Sequence, residues 1–400
     1  MKHDFLRLAL VLGLLSAIGP FAIDMYLPAL PAIGSALHAD MHQVQLSLMA
    51  FFLAFALMQI VYGPASDMVG RKPPLYVGIG LFVVGSIGCA LAPDIGWLIG
   101  FRFVQGLGGC APNVITLAIV RDRHTGAEAA RLMSLLMLVF SVSPIFAPVA
   151  GSLVIDAGGW PAIFWVVSVI GVLGLALVAF ALEETRPAAE RAGSSLASTG
   201  RAFATLARDP HFLGLAGTMS LGVASFFVYL SNSSFVLIDH YGLTPRQYSL
   251  AFSVNAASFI GASQFSGRLA HRYGLKRVLA VSVACFALTM SAGCALNLAG
   301  VDTLASLIVM LMIGFGFLGL VIPSASVMAL EHHGDIAGAA SALMGTMEMV
   351  TGAVVIALMG LVMDGTARPM LAGVAGVALL TWGLAWVSLR GERGAAATAS

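Results

Sequence analysis

The chain is a succession of apolar runs, each about 20 residues long, separated by short segments that hold most of its charges. A helix of about 20 apolar residues crosses the hydrocarbon core of a bilayer with every backbone polar group bonded internally. Only 10% of the residues are charged, against about 25% in a soluble domain. We therefore predict an all-α membrane protein with about twelve spans. The predicted spans cover residues 6–30, 44–66, 75–91, 97–120, 132–155, 162–182, 211–238, 247–269, 278–296, 303–330, 337–362 and 370–389.

The basic residues indicate the orientation of these spans. All but three of the 20 Lys and Arg residues fall on the side that carries both termini. Arg246 and Arg368 lie on the other side, and Arg102 lies within a span. Because cytoplasmic loops carry an excess of Lys and Arg, we predict a multi-pass protein of the bacterial inner (cytoplasmic) membrane with both termini in the cytoplasm.

One long polar segment divides the apolar runs into two sets of six. We predict an N-terminal six-helix bundle over residues 1–182, a cytoplasmic linker over 183–209, a C-terminal six-helix bundle over 210–390 and a cytoplasmic tail over 391–400. Leu196, Phe203 and Leu206 suit an interfacial amphipathic helix, and a flexible tether is the alternative. We assign the linker no chemistry.

A short motif recurs at the same position in both sets. The chain reads GPASDMVGRKPPL from Gly63 and GRLAHRYGLKRVL from Gly267, and the two align without a gap. Such a repeat predicts a duplicated bundle with a substrate site near the midplane between the repeats. The matched pairs are Gly63 with Gly267, Asp67 with His271, Gly70 with Gly274, and Lys72 with Lys276.

Four motifs carry a resemblance to a known family. The segment from Gly63 to Leu75 resembles the loop motif of the major facilitator superfamily, and RFVQGLGG from Arg102 resembles its fourth-span motif. DMYLPALP from Asp24 and SPIFAPVAG from Ser143 resemble motifs of drug:proton antiporters, although Ala147 stands where that family often has Gly. The chain thus resembles the bicyclomycin and chloramphenicol resistance group of that superfamily.

The resemblance implies both fold and function. It implies two six-helix bundles, twelve transmembrane helices in all, related by pseudo-two-fold symmetry. It also implies proton-coupled efflux of small, largely apolar drugs by alternating access, in a functional monomer that needs the lipid bilayer and the proton gradient but no cofactor or metal. A proton-linked exporter or importer of an endogenous metabolite is the alternative on the same fold.

Other classes of function fit the sequence poorly. The histidines are scattered and no nucleophile or metal constellation appears, so an enzyme is not expected. A passive channel does not explain a duplicated bundle with a titratable pair. The net charge of +1 offers no basic patch for nucleic acid.

Two charged residues inside predicted spans are candidates for proton coupling. Burying an ionised carboxylate in lipid is costly unless it is paired or protonated, so Asp24 is expected to face a cavity and to exchange a proton. Arg102 needs an internal partner, and Asp24 is the obvious candidate. The alternatives are an interfacial Asp24 that caps its helix, and an Arg102 that extends to the membrane surface.

Glu348 is a third candidate for proton coupling. It lies midway along the eleventh predicted span, where the family resemblance implies an uncharged residue. It is a second proton site, a counter-charge for a cationic substrate, or a protonated Glu bonded to a neighbouring helix.

Two further groups of residues receive roles from the resemblance. Prolines and glycine in the fifth span suit a bent gate, and the loop motif is implied to steady one conformation through Asp67 bracing the opposite half. Aromatic and amide side chains suit an apolar substrate cavity with polar handles. The gating candidates are Gly63, Asp67, Gly70, Arg71, Lys72, Arg121, Asp122, Pro144, Pro148 and Gly151, and the cavity candidates are Tyr26, Phe226, Tyr229, Asn232 and Asn255.

Overall fold

The computed structural model describes residues 2–124, 126–187, 191 and 196–398, and within these ranges the ordered elements are all helical. Lipid offers no partner for backbone polar groups, so helices are the expected solution for such apolar runs. The helices are α1 Lys2–Asp24, α2 Leu30–Ala36, α3 Met41–Val69, α4 Lys72–Ala90, α5 Ile95–Arg123, α6 Gly126–Phe180, α7 Leu196–Leu206, α8 Pro210–Ser234, α9 Pro245–Ser263, α10 Ser266–Tyr273, α11 Leu275–Leu298, α12 Leu304–Leu330, α13 Ala337–Gly360 and α14 Ala367–Thr398.

Ten stretches of the described chain are long and apolar enough to cross a membrane. The other two predicted spans are also present as helices. The fifth and sixth form the single run α6, which breaks at Gly159, where a φ of 70° lies in the left-handed region that glycine adopts readily. The eighth is α9, a more polar helix of 19 residues. The prediction of an all-helical, multi-pass membrane protein is confirmed.

Several helix ends differ from the sequence prediction. The first span stops at Asp24 and is followed by a short 3-10 turn, Leu27–Ala29, and by α2. Prolines at 28 and 31 lack the backbone N–H that a continuous helix needs, which explains the interruption. At the other end of the chain, α14 continues to Thr398 through most of the predicted tail.

The chain divides into two compact units, residues 1–199 and 200–400. In the first unit α5 packs against α3 and α4, and α1 packs against α6. In the second unit α8 packs against α12, α13 and α14, and α11 packs against α12 and α14. The helix α7 lies in the predicted linker and buries Leu206.

The repeat seen in the sequence has a counterpart in backbone geometry. Asp40 with Gln43 and Thr244 with Gln247 form capping boxes at the starts of α3 and α9. Gly70 and Gly274, at the same distance beyond these caps, both have positive φ, 98° and 81°. The two units therefore share the devices that start and end equivalent helices.

Glycines of the RFVQGLGG motif allow the close packing of α5. A Cβ at Gly106 would collide with the carbonyl oxygen of Phe51 on α3, and one at Gly108 would collide with backbone atoms of α4. Close approach of helix backbones through small residues is the main way that helices associate in lipid. This packing fixes the helix that carries Arg102.

We predict that Gly106→Ala lowers the stability of the protein by about 1–3 kcal/mol, because α3 must move away from α5. Gly100→Ala is the matched control on the same helix, since a Cβ there meets nothing within 4 Å. The control is expected to be neutral or to stabilise α5 by up to about 1 kcal/mol. Thermal unfolding of both purified variants in one detergent measures the difference, and equal midpoints would contradict the packing argument.

Candidate functional site

Arg102 is completely buried in the first unit. Its Nη1 donates hydrogen bonds to Gln105 Oε1 at 2.5 Å and to the carbonyl oxygen of Ala22 at 3.4 Å. The guanidinium carbon lies 4.5 Å from the ring centroid of Tyr26 and 4.4 Å from that of Phe51. Its Nε and Nη2 have no hydrogen-bond partner among the described residues. A permanent cation is thus held mainly by two aromatic faces, with donors to spare.

Neighbouring polar side chains fix the groups around Arg102. Gln105 Nε2 donates to Ser86 Oγ at 2.7 Å, which turns the amide oxygen of Gln105 towards Arg102. The hydroxyls of Tyr26 and Ser47 share a hydrogen bond of 2.7 Å, which fixes the Tyr26 ring. Since Arg102 and Gln105 are three residues apart on α5, they lie on one face of the helix.

Asp24 is buried near this site but does not pair with Arg102. It is the last residue of α1, it is 5% exposed, and its Oδ2 accepts a hydrogen bond from Ser143 Oγ at 3.1 Å. No ion pair joins Asp24 to Arg102 in this structure, so the predicted pair is not formed here. Its place is taken by neutral partners: Ser143 for the carboxyl, and Gln105 with aromatic rings for the guanidinium. The alternative of an Arg102 that extends to the membrane surface is also wrong, because the side chain is buried.

The two motifs that resemble those of drug:proton antiporters meet in space. Ser143, which begins the fifth-span motif, contacts Asp24, which begins the first-span motif. Eight residues along α6, a Cβ at Gly151 would collide with the carbonyl oxygen of Met25. Gly151 therefore permits the close approach of α6 to the end of α1. The backbone remains helical at Pro144 and Pro148, and their role as a gate stays a prediction.

A second site lies where α3, α4 and α5 end or begin, on the side predicted to be cytoplasmic. Arg71 donates from Nε and Nη2 to the two carboxylate oxygens of Asp122, at 2.7 and 3.0 Å. Its Nη1 donates to Asp67 Oδ1 and to Ser66 Oγ, both at 2.7 Å. Every guanidinium nitrogen of Arg71 is therefore bonded. Three of the gating candidates, Asp67, Arg71 and Asp122, therefore lie in one hydrogen-bonded cluster.

The linker supplies carboxylate and guanidinium groups that the sequence analysis missed. Glu184 accepts hydrogen bonds from the backbone N–H groups of Arg71 at 2.9 Å and Lys72 at 3.1 Å, at the start of α4. Arg186 donates from Nε to the carbonyl oxygen of Asp67 at 3.0 Å, and its Nη1 lies 3.4 Å from Asp67 Oδ1. The assignment of no chemistry to the linker is thus corrected. A Glu followed two residues later by Arg, just after the sixth span, was the available signal.

The Glu184 carboxylate is stabilised in its ionised form. Partial burial alone raises the pKa of this carboxyl, but the backbone N–H groups of Arg71, Arg186 and Lys72, together with the charge of Arg191, outweigh burial and hold its pKa below the ordinary value. A carboxylate at the N-terminus of a helix also interacts favourably with the helix dipole. Glu184 therefore acts as the cap that α4 lacks within its own sequence.

The other gating candidates have fewer contacts. Lys72 Nζ donates to the carbonyl oxygen of Leu182 at 2.9 Å. Gly63 lies inside α3, where a Cβ would make only ordinary contact, 3.9 Å from a methyl group of Val114. Arg121 is exposed and has no hydrogen bond to the described residues. The partners of Asp67 lie in its own unit, and its implied role in bracing the other half stays a prediction.

In the second unit, the cavity candidates form an aromatic cluster. Tyr229 stacks on Phe252 with ring centroids 5.4 Å apart, and its hydroxyl accepts a hydrogen bond from Asn255 Nδ2 at 3.0 Å. Asn255 Oδ1 is buried without a partner among the described residues. Phe226 packs against Phe315 at 5.5 Å and remains partly exposed. Their role in a substrate cavity stays a prediction.

The side chains of Asn232 and Glu348 differ in their hydrogen bonding. Asn232 is fully buried, and its Nδ2 donates to the carbonyl oxygen of Val228 at 2.7 Å. Glu348 is half-buried on α13, on the helix face that carries Met344 and Gly352, and it has no hydrogen bond or ion pair with the described residues. The proposed bond from Glu348 to a neighbouring helix is therefore absent. Glu348 remains a carboxyl without a described partner in the middle of a span.

We predict that Glu184→Ala destabilises the start of α4 by about 1 kcal/mol, as the loss of a side-chain cap does. Glu183→Ala is the matched control, because it removes the same charge from an exposed pair with Arg123. The control is expected to change stability by less than about 0.5 kcal/mol. Thermal unfolding at neutral pH measures both variants.

The contribution of Glu184 is expected to depend on pH. Because its pKa is lowered on folding, the stabilisation is complete above the ordinary value of 4.5 and is lost as the pH falls through the lowered folded value. The difference in midpoint between wild type and Glu184→Ala should therefore shrink in acid. Equal unfolding midpoints for Glu184→Ala and Glu183→Ala at neutral pH would refute the capping role of Glu184.

Comparison with known proteins agrees with this architecture. The model of the Major Facilitator Superfamily matches residues 12–356. The uncharacterized MFS-type transporter YdgK of Bacillus subtilis (strain 168) is 36% identical over 398 residues, which are 97% of this chain and 96% of the relative. A bicyclomycin resistance protein homolog of Haemophilus influenzae is 32% identical over 368 residues, 90% of this chain and 91% of the relative.

Solved structures share the fold. A D-xylose-proton symporter superposes with a TM-score of 0.73, at 14% identity, over 94% of this chain and 97% of its own. At that identity the likeness shows the fold alone. The resemblance predicted from the four motifs is confirmed, and this chain is a multi-pass membrane protein of the major facilitator superfamily, in the group that includes the bicyclomycin resistance proteins.

Proposed function

We propose that this protein exports small, largely apolar compounds from the bacterial cytoplasm in exchange for protons, by alternating access in the inner membrane with both termini cytoplasmic. The observation that carries the proposal is the buried Arg102, two of whose nitrogens have no hydrogen-bond partner in the described part of the chain, close to the end of α1. A buried cation with spare donors is a place where a negative charge is stabilised when it appears.

Asp24 is the group that supplies this charge in the proposed cycle. The contact of Arg102 with the carbonyl oxygen of Ala22 brings α1 against the guanidinium two residues before Asp24. When protonated, Asp24 is a neutral group that stays with Ser143. When the proton leaves, the carboxylate moves towards the free Nε and Nη2 of Arg102. Proton binding and release are thereby linked to a rearrangement at the end of α1.

Two lines of observation support a drug-like cargo. The relatives that cover most of this chain include one named as a bicyclomycin resistance protein homolog, and a multidrug resistance protein MdtL of Escherichia coli is 30% identical over 237 residues, 59% of this chain and 60% of its own. Phe226, which is partly exposed at the edge of the aromatic cluster around Tyr229, supplies apolar contact surface. Such surfaces bind apolar molecules of varied shape.

A proton-linked exporter or importer of an endogenous metabolite is the second candidate. The observation that favours it is the same pair of free nitrogens on Arg102, because a carboxylate or phosphate on a metabolite would satisfy them directly. The two candidates differ in the charge of the cargo. Anionic cargo would compete with ionised Asp24 for Arg102, whereas neutral or cationic drugs would not need that guanidinium.

The test of the proposal is proton release from the purified wild-type protein when candidate drugs, such as chloramphenicol analogues or lipophilic cations, are added in weakly buffered detergent solution. We expect release from wild type and none from Asp24→Asn, because the amide side chain does not ionise. Tryptophan-fluorescence titration checks that the variant still binds the drug. Drug binding to wild type without proton release would exclude the antiporter.

Glu348→Gln serves as the matched control, because it removes a second membrane carboxyl in the other unit. Release that persists in Asp24→Asn but is lost in Glu348→Gln would move the proton site to α13. Transport into proteoliposomes under an imposed proton gradient, with and without an uncoupler, then gives the direction of transport. Proton-driven accumulation of an anionic metabolite in place of a drug would favour the second candidate.

A further inference from the structure

A groove of about 590 Å³ opens on the second unit between the start of α11 and residues 382–390 of α14. Arg277 and Arg390 line it together with Lys276, and the rest of its wall is mostly aromatic and aliphatic. The volume lies within the range of pockets that hold drug-sized molecules. All the lining residues belong to one unit, so this groove is separate from the site around Arg102.

Two helix faces build the groove. Trp382, Trp386 and Arg390 follow one another at four-residue intervals and so form one stripe along α14. On α11, Ala280 and Val283 continue the wall below the basic residues. The small side chain of Ala280 leaves room between the two helices. The groove is thus basic at its end and apolar along its length.

The position of these residues suits the boundary between lipid and water. Trp382 and Trp386 are 39% and 51% exposed, on a helix that is apolar enough to span a membrane. Tryptophan is enriched where headgroups begin, and the nearby turn carries basic residues on the side predicted to be cytoplasmic. The groove therefore faces the headgroup layer with its basic end and the acyl chains with its apolar length.

The charge of the groove is not neutralised by its own wall. None of its described lining residues is acidic, and neither Arg277 nor Arg390 forms an ion pair with the described residues. The guanidinium of Arg390 lies over the ring of Trp386, 3.6 Å from the centroid, which positions it without neutralising it. Lys276 also borders a depression that contains Glu331, so the positive charge attributed to the groove is that of the two arginines.

A comparable depression in the first unit differs from the groove in its balance of charge. It is lined by Arg7 and Arg123 but also by Glu128 and Glu183. There Arg123 pairs with Glu183 at 2.7 Å, and His124 pairs with Glu128 at 3.0 Å. That depression is largely balanced in charge. The groove on the second unit is not, and it therefore attracts an anion.

We propose that this groove binds one anionic phospholipid. Its phosphate is held by Arg277 and Arg390, and its acyl chains run along Trp382, Ala280 and Val283. Basic pockets between transmembrane helices on the cytoplasmic side recognise anionic head groups in this way. The occupant is a lipid rather than free phosphate because the apolar length of the groove offers contact only to a molecule with hydrocarbon chains. The inference is independent of the transported cargo.

The test uses the full-length purified protein, delipidated and then titrated with cardiolipin or phosphatidylglycerol, with binding followed by native mass spectrometry and by thermal shift. The double variant R277Q/R390Q is expected to bind anionic lipid at least about tenfold more weakly at this site. The matched control is R208Q/R268Q, which removes the same charge from the same side outside the groove. It is expected to bind as wild type does.

A steric variant tests where the lipid binds, as the charge variants test the role of the arginines. Ala280→Trp fills the groove without changing any charge, and it is expected to remove the same bound lipid while leaving the unfolding midpoint in lipid-free detergent unchanged. Equal binding of phosphatidylcholine, equal losses in the two double variants, or retention of the lipid in Ala280→Trp would each overturn the proposal. Stabilisation by inorganic phosphate alone, equal to that by the lipid, would also overturn it.

Discussion

The structure of the first unit depends on keeping one permanent cation, Arg102, fully buried inside a membrane protein. The guanidinium cannot lose its proton, so the surroundings must stabilise it. They do so through two aromatic faces and an amide oxygen, rather than through a carboxylate. This solution requires α5 to lie very close to α3 and α4, and the glycines that follow Arg102 allow that approach. Within this one motif, the glycines therefore allow the close helix packing that buries and stabilises the arginine.

A second arginine, Arg71, has all of its guanidinium nitrogens hydrogen-bonded. Arg71 places all its guanidinium nitrogens on Asp122, Asp67 and Ser66, and its backbone N–H on Glu184. Such a group gains nothing from a new partner, so it stabilises one arrangement of the helix ends. Two nitrogens of Arg102 have no partner among the residues that the structure describes, so its most stable arrangement changes with the charge nearby. The number of bonded guanidinium nitrogens therefore separates Arg71, which stabilises one arrangement, from Arg102, which is suited to a transport cycle.

The sequence predicted the features that follow from local composition. The helical spans and the family depend on apolar runs and on motifs such as that from Gly63 to Leu75. The all-helical membrane fold and the family are confirmed, whereas several helix ends differ from the prediction. The ion pair between Asp24 and Arg102 was predicted from charge and is not formed here: aromatic rings and Gln105 hold Arg102, and the Ser143 hydroxyl bonds to Asp24. Glu184 was missed because its partners are backbone N–H groups of a distant helix start, and only folding brings them together.

Comparison of the two copies of the internal repeat shows which features the backbone conformation needs and which side chains are free to differ. Both units retain a capping box and a glycine with positive φ at equivalent places, because these conformations are needed wherever such helices start and stop. The charges have diverged: His271 stands where the first unit has Asp67. Leu275 stands where the first unit has Arg71, and Arg277 is exposed and forms no ion pair with the described residues. The same turn thus closes a network in one unit and leaves a basic groove, open to an anion, in the other.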